Sequence, residues 1–525
     1  MKNKAKSLVD LVVTDSYPVS SALSQLLKKV DETSSWQVIV GNKALDFIKK
    51  NDGFTDEYKP LQKISSKQFD YVAGQAKAIW LATLPDVRGD YLAHKFNEHI
   101  KKDLKLNCPV YRMRLPSITE ECVLNAILNK KNVVMDKEVL LKHEARLVID
   151  HAISLYVSKL FSDKFPLSFE FGLHTGIILD YINKSKPLFK VSNNSLTHLI
   201  HPYDKEEISS EQIRSKVVEE KNLGRVLSLK DLYIELSGFV SWYGFGSCLQ
   251  QAYSKGYITY PTSDTCTKTH KSFPIKKVKE SSKNWGLVGL ANNNNETEDE
   301  IVGYIASEAL SSRKLKRKRV LLEFVQEKEA LFHHKYLIVN QSTTWLEQKY
   351  KRIERIKPQY CLGIDQISLL YYIDYLGFEY KQIPWIIYSL VKAGFIVYTS
   401  DATVVLTSLG KMVLLLLKNY VPILLKDKYV KNTLRGIKKL SLEDDIANYE
   451  FMQTRIDKVR VLTDSSYETI KIPKCSHKCI CGKSYSIVIN NTGVFATCSN
   501  NKCKRAGKIY PVDIVDDKIE VKDAD

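Results

Sequence analysis

Five of the ten cysteines in the chain lie between Cys475 and Cys503, and their spacing constrains the local fold more tightly than any other feature. A first group, Cys475-Ser476-His477-Lys478-Cys479-Ile480-Cys481-Gly482-Lys483, precedes a second, Cys498-Ser499-Asn500-Asn501-Lys502-Cys503. Tyr485 to Ile489 and Val494 to Thr497, between them, read as a strand hairpin. Two ligand pairs on turns joined by a hairpin describe a zinc ribbon, in which thiolates around Zn²⁺ staple a module too small to have a core of its own. Cys475, Cys479, Cys481, Cys498 and Cys503 are the candidate ligands, with His477 an alternative in the first group. The other cysteines are scattered, so a disulfide framework is not the pattern. Together with the absence of a signal peptide at Met1-Lys2-Asn3-Lys4, this points to a reducing, intracellular home.

With 525 residues and 44% hydrophobic content the chain can bury large cores. At roughly 100 to 200 residues per domain it should hold about three to five units. Its 78 basic and 60 acidic residues leave a net charge of +18, which suits a polyanion such as nucleic acid. The most apolar stretch, Met412 to Leu417, is cut by Lys418 and is too short to span a bilayer, so no membrane partner is expected. Arg313-Lys314-Leu315-Lys316-Arg317-Lys318-Arg319 is a dense basic run. It is either a solvated face or a phosphate-binding one, in which Arg313, Lys316, Arg317 and Arg319 would give salt-sensitive affinity without sequence information.

Near the amino terminus, Leu8 to Ser16 reads as a buried strand ending in Asp15, followed by a helix over Ser20 to Leu27. Ala78 to Asp90 repeats the pattern, a strand ending in Asp86 and Asp90, with a helix expected from about Tyr91. Such residues are often no more than loop caps. Parallel strands of an open α/β sheet would nevertheless bring these carboxylates together as a candidate Mg²⁺ site, with Arg88 available to meet a phosphate.

In the middle of the chain, the helical run Leu249 to Tyr253 is stopped by Lys255-Gly256, and Tyr257-Ile258-Thr259-Tyr260 is β-prone up to Pro261. Tyr260 therefore sits at an element terminus. A tyrosine there is usually structural, but beside hydroxyls and an acid it could attack phosphorus and store the phosphodiester energy in a phosphotyrosyl bond.

The phrase Gly256-Tyr257-Ile258-Thr259-Tyr260-Pro261-Thr262-Ser263-Asp264 resembles the active-site signature of type IA DNA topoisomerases. Tyr260 falls on the family's nucleophile and Asp264 on its acid, while Thr262 stands where the family has an arginine. The amino-terminal acids resemble the family's Toprim motifs. There Asp15 replaces a glutamate, Leu84 the first aspartate, Asp86 matches the second, and Val87 and Arg88 replace an Arg-Glu pair. Gly89 is kept and Asp90 stands for the last glutamate. Tyr111 to Thr119 is similar to the strand leaving that domain, and Leu406-Thr407-Ser408-Leu409-Gly410-Lys411 to a Leu-Thr-x-x-Gly-Arg phrase. Cys498 to Cys503 is similar to the family's second zinc knuckle. In the first, the usual spacing puts a ligand at Lys478, so one of Cys475, Cys479 or His477 must pair with Cys481. The family's DNA-contacting arginine falls on Gly172, with no replacement assigned to His174, and its His-Glu-Ala-Ile-Arg-Pro phrase is missing.

The resemblance implies a multidomain α/β and α+β fold: a Toprim-type α/β domain, winged-helix-like helical domains, a β arch forming a toroid, and a C-terminal zinc ribbon. The expected units are a Toprim domain at 1–125, a helical domain at 126–204 and 359–468, an arch at 205–225 and 313–358, the tyrosine domain at 226–312, the ribbon at 469–512 and an acidic tail at 513–525. It further implies a monomeric cytoplasmic, nucleoid-associated protein whose partner is DNA, mainly single-stranded. Tyr260 would form a 5′-phosphotyrosine link, Asp15 and Asp264 would assist, Asp86 and Asp90 would hold Mg²⁺, and Arg88 and Thr262 would contact the strand. Loss of several family side chains implies the alternative, a strand-binding clamp that no longer cleaves, since one transition-state donor is commonly worth about 10² to 10³ in rate.

Overall fold

The computed structural model describes residues 9–41, 45–47, 62–64, 67–162, 171–184, 189–192, 197–200, 213–219, 242–260, 318–326, 329–339, 352–355, 364–379, 382–398, 403–467, 469, 471, 475, 477–490, 493–515 and 517–521. Its amino-terminal part is a parallel sheet with helices on both faces. The elements run β1 (Val9–Thr14), α1 (Tyr17–Val30), β2 (Trp36–Val40), a short antiparallel pair β3 (Leu45–Phe47) and β4 (Gln62–Ile64), α2 (Lys67–Ala73), β5 (Ala76–Leu81), α3 (Val87–Glu98), β6 (Val110–Arg112) and α4 (Glu120–Asn129). The sheet order is β2-β1-β5-β6, with every pairing parallel.

Alternation along the strands divides the core between the two faces. Val12, Ala78 and Trp80 pack with Val19, Leu23 and Leu27 of α1, whereas Leu11, Val13, Ile79 and Leu81 pack with Phe69 and Ala73 of α2 and Ala93 and Phe96 of α3. The helix expected from Tyr91 begins earlier, at Val87, because Asp86 caps it. The Asp86 Oδ1 accepts from the Gly89 N–H at 2.8 Å. A Cβ on Gly89 would meet the Leu84 carbonyl oxygen at 1.8 Å, so only glycine lets the loop fold back over this turn.

The helical part follows with α5 (Lys137–Ser162), α6 (Thr175–Asn183) and α7 (Trp242–Ser254), then α8 (Gln366–Leu376), α9 (Ile383–Lys392), α10 (Ser408–Tyr420), α11 (Asp427–Lys439) and α12 (Asp445–Ser466). One apolar core runs continuously from the α1 face of the sheet through these helices to the carboxyl-terminal strands. Thr407 caps α10 by accepting from the Gly410 N–H at 3.0 Å, which gives the Leu-Thr-x-x-Gly phrase a local physical role.

Antiparallel pieces are inserted between the helices. Phe189–Ser192 pairs with Thr197–Ile200 and with Arg352–Arg355, so these residues of the expected helical segment 126–204 form strands instead; Phe189-Lys190-Val191-Ser192 alternates apolar with polar, a period of two. Ile213–Glu219 pairs with Lys318–Gln326, which pairs in turn with Glu329–Val339. A hairpin, Ile396–Tyr398 with Thr403–Leu406, follows α9.

The last sheet is four-stranded and antiparallel: Tyr485–Asn490, Gly493–Cys498, Ile509–Val515 and Lys518–Val521 in sequence order. It continues past residue 512, where an acidic tail was expected. Val512, Ile514, Ile519 and Val521 are buried, while Asp513 and Asp517 pair with α10, Lys411 Nζ lying 2.6 Å from Asp513 and Lys418 Nζ 2.9 Å from Asp517. Among the described residues, no helix is long and apolar enough to cross a membrane.

Candidate active site and metal centre

Tyr260 is placed by a short backbone seam between α7 and the chain leaving β6. The Tyr253 hydroxyl donates to the Leu115 carbonyl at 2.7 Å, and the Tyr260 N–H donates to the Pro116 carbonyl at 2.9 Å. Gly256 ends the helix at φ +74°, and a Cβ there would lie 2.5 Å from the Ile118 carbonyl oxygen. No side chain but hydrogen fits that turn. Ile258 is fully buried and the Tyr253 and Tyr260 rings meet edge to face at 5.1 Å, so the segment is fixed although it forms no extended strand of the kind its β-prone residues suggested.

The Tyr260 hydroxyl, half-buried, donates to the Asp86 Oδ2 at 2.8 Å. Burial, and after it the Asp86 charge, hold the phenol well above its ordinary pKa, so it rests protonated. Asp15 ends β1 and is buried; its Oδ2 accepts from the Leu84 N–H at 3.3 Å. Burial raises its carboxyl above the usual range and the Asp86 charge raises it further, against a lowering by the Leu84 N–H. Asp15, Asp86 and Tyr260 thus form one electrostatically linked corner at the carboxyl ends of β1 and β5.

Asp90 faces elsewhere. Its Oδ1 accepts from Arg112 Nη2 at 2.9 Å and Nε at 3.2 Å, and its Oδ2 lies 3.6 Å from Arg114 Nη2. The buried Arg112 guanidinium also donates to the carbonyls of Leu81, Thr83, Leu84 and Met113 at 2.8 to 3.1 Å. Sequence reading missed this arginine as an organiser of the loop, although its position on the strand beside β5 was the available signal.

The geometry lends the expected Mg²⁺ pair no support: Asp86 is engaged by the α3 cap and by Tyr260, and Asp90 by two arginines, whereas Mg²⁺ wants about six oxygens. Among the described residues, the group of three or more His, Cys, Asp or Glu side chains that could hold a metal is Cys479, Cys481, Cys498 and Cys503, whose sulfurs all lie within 4.8 Å of one another. Cys479 and Cys481 sit on a turn closed by Gly482, and Cys479 Sγ is 3.6 Å from Cys503 Sγ, as is Cys481 Sγ from Cys498 Sγ. The backbone N–H groups of Asn500 and Arg505 donate to the sulfurs of Cys498 and Cys503, both at 3.4 Å. The Cys481 N–H is the leading influence that draws Cys479 down to about 6. These four cysteines could bind a metal such as zinc. Cys475, counted among the ligands from sequence, is outside the group; its sulfur approaches the Ile519 carbonyl at 3.6 Å, fixed there by a bridge to the last strand.

Of the residues expected to contact DNA, Arg88 is exposed at the start of α3, its guanidinium carbon 6.0 Å from the centre of the Trp385 ring. Arg319 lies in the Lys318–Gln326 strand, paired with Val218 and Ile338. Thr262, Asp264, Arg313, Lys316 and Arg317 fall outside the described residues. His174, beside the arginine position at Gly172, is enclosed near Phe378 and Ser389, and burial lowers it to about 4, which leaves it neutral and no substitute cation.

A parallel sheet bearing acids, a helical body carrying the tyrosine and an antiparallel cysteine-bearing sheet together define a topoisomerase-like fold. A full-length topoisomerase I from Thermotoga maritima superposes on the chain with a TM-score of 0.59 and 15% sequence identity, covering 97% of this chain and 100% of that one. No protein-family model matches the sequence. No curated protein sequence matches it either.

Proposed function

We propose that the protein breaks and reseals one strand of DNA through a covalent link to Tyr260, in the manner of type IA topoisomerases. The observation that carries this reading is the 2.8 Å hydrogen bond from the Tyr260 hydroxyl to Asp86, which joins two segments 174 residues apart in sequence. The fold likeness adds support for DNA as partner, and the charge of +18 agrees with it.

In this reading the phenolic oxygen attacks a backbone phosphorus while Asp86 accepts its proton, so a phenol held above its ordinary pKa need not ionise beforehand. The P–O3′ bond breaks and the departing 3′ oxygen takes a proton from Asp15, whose burial favours its protonated form. Resealing runs the same steps in reverse. Arg88, exposed beside Asp86, supplies a positive charge for the strand. The domain boundaries expected from sequence, a toroidal arch, a winged-helix character for α8 and α9 with their hairpin, and Zn²⁺ in the four-cysteine sheet complete the proposal.

One observation favours the rival, a clamp that binds strands without cutting them: the burial and neutrality of His174 leave the family's arginine at Gly172 without a substitute. Incubation with negatively supercoiled plasmid separates the readings. Ladders of topoisomers that vanish in Tyr260→Phe support the enzyme, while salt-sensitive binding with no change of linking number supports the clamp.

A further inference from the structure

The corner around Tyr260 has an aromatic surface beside it that no catalytic step uses. Trp385 lies on the first turn of α9, after Pro384, and keeps 59% of its surface exposed, although the helix buries Ile383, Ile386, Ile387 and Leu390 on its other side. A tryptophan left this open on an otherwise well-buried helix gains nothing for the core. Its ring stacks with that of Tyr388 one turn on, with centroids 5.7 Å apart and planes within 21° of each other. The two rings present nearly parallel faces.

Cations flank this surface at both ends. Arg88 stands 6.0 Å from the Trp385 ring centre and Lys392 Nζ 6.0 Å from that of Tyr388. Arg88 is two residues from Asp86, the acceptor of the Tyr260 hydroxyl. Pro384, next to Trp385, would touch a Cβ on Gly246 at 3.0 Å, so α9 packs on α7, the helix that leads into Tyr260. The rings are therefore joined to the tyrosine corner by two routes, through α3 and through α7. By contrast Tyr375, also exposed, has Lys431 Nζ only 3.4 Å from its ring centre, which covers that face.

We propose that Trp385, with Tyr388 behind it, is a stacking shelf for an unpaired base of the DNA strand delivered to Tyr260, with Arg88 and Lys392 holding the phosphates on either side. Every base has a π-face, so such a shelf holds a strand without reading its sequence, and the flanking cations match the charge of its backbone. A duplex keeps its bases stacked on one another and would not engage it. The shelf thus selects unpaired strand. It rests on DNA being the partner, but not on cleavage.

The experiment compares binding of the full chain to a short oligothymidylate and to an abasic oligonucleotide of equal length, by fluorescence anisotropy at fixed salt. Trp385→Ala is expected to weaken oligothymidylate binding about 10- to 100-fold, to leave abasic binding within about twofold, and to be largely rescued by Trp385→Phe. Trp385 is exposed, so an unchanged melting temperature verifies the fold. Equal loss on both ligands, or no loss on either, overturns the shelf. Tyr260→Phe binding oligothymidylate like the parent while failing to relax plasmid keeps the two proposals separate: the shelf stands or falls on base dependence, strand breakage on relaxation.

Discussion

Two corners of the molecule solve the problem of crowded anions differently. At the carboxyl ends of β1 and β5 the charge is met from within: Arg112 reaches Asp90 and four backbone carbonyls, and Tyr260 donates to Asp86. In the last sheet, Cys479, Cys481, Cys498 and Cys503 face one another with sulfurs inside 4.8 Å. The Cys481 N–H draws Cys479 down to about 6 while burial and the neighbouring thiols push Cys498 up to about 12, and a bound cation would favour all four as thiolates. The first corner brings its cation on a side chain; the second could take one up from outside.

The largest difference should therefore appear on metal removal. A strong chelator, or Cys498→Ser, is expected to unfold the sheet from Tyr485 to Val521 while the parallel sheet keeps its transition, since structural Zn²⁺ contributes about 10–16 kcal/mol in small modules. Limited proteolysis followed by mass mapping reads this out, and coincident loss of both regions would erase the contrast. At the other corner, Arg112→Met strips its hydrogen bonds from four backbone carbonyls and from the partly exposed Asp90, and should cost about 1–3 kcal/mol in urea unfolding. Saturable Mn²⁺ binding by the parent protein that is lost in Asp90→Asn would instead mean that this corner does import a cation.

Asp86→Asn keeps an oxygen to cap α3 but loses the proton acceptor for Tyr260. It should slow strand cleavage by about 10² to 10⁴ with little change in melting temperature. Asp15 has a raised pKa, so the folded state binds its proton more tightly than the unfolded chain. Its contribution to stability is present in acid, below the unfolded value near 3.8, and is lost as pH rises through the folded value. Asp15→Asn should therefore raise the melting temperature at neutral pH and leave it nearly unchanged in acid. Lys411→Ala, removing one partly exposed ion pair to Asp513, should cost only about 0.2–1 kcal/mol.

Local chemistry was legible in the sequence, and partnerships across the chain were not. The strand-acid units, the glycine stop before Tyr257 and the cysteine hairpin are short-range patterns and correspond to β1, β5, α7 and the last sheet. Which carboxylate meets which partner depends on tertiary approach: Asp90 looked like Asp86, yet Arg112 on the neighbouring strand takes it. Likewise Cys475 lies four residues before Cys479, where the turn closed by Gly482 begins, and bridges to Ile519 instead. The strands Ile509–Val515 and Lys518–Val521 were hidden because their acidic residues suggested a tail, although Val512, Ile514, Ile519 and Val521 alternate with polar positions as a half-buried strand pair requires. Trp385 gave no motif at all, since only its exposure and its cationic neighbours mark it.

The central claim is that the Tyr260 hydroxyl is the atom that joins the DNA. Incubating the full chain with an end-labelled single-stranded oligonucleotide, quenching with detergent and mapping the modified peptide tests it in one step. The account predicts a covalent adduct on Tyr260, absent in Tyr260→Phe; an adduct that persists in that variant, or tight strand binding with no adduct at all, would contradict it.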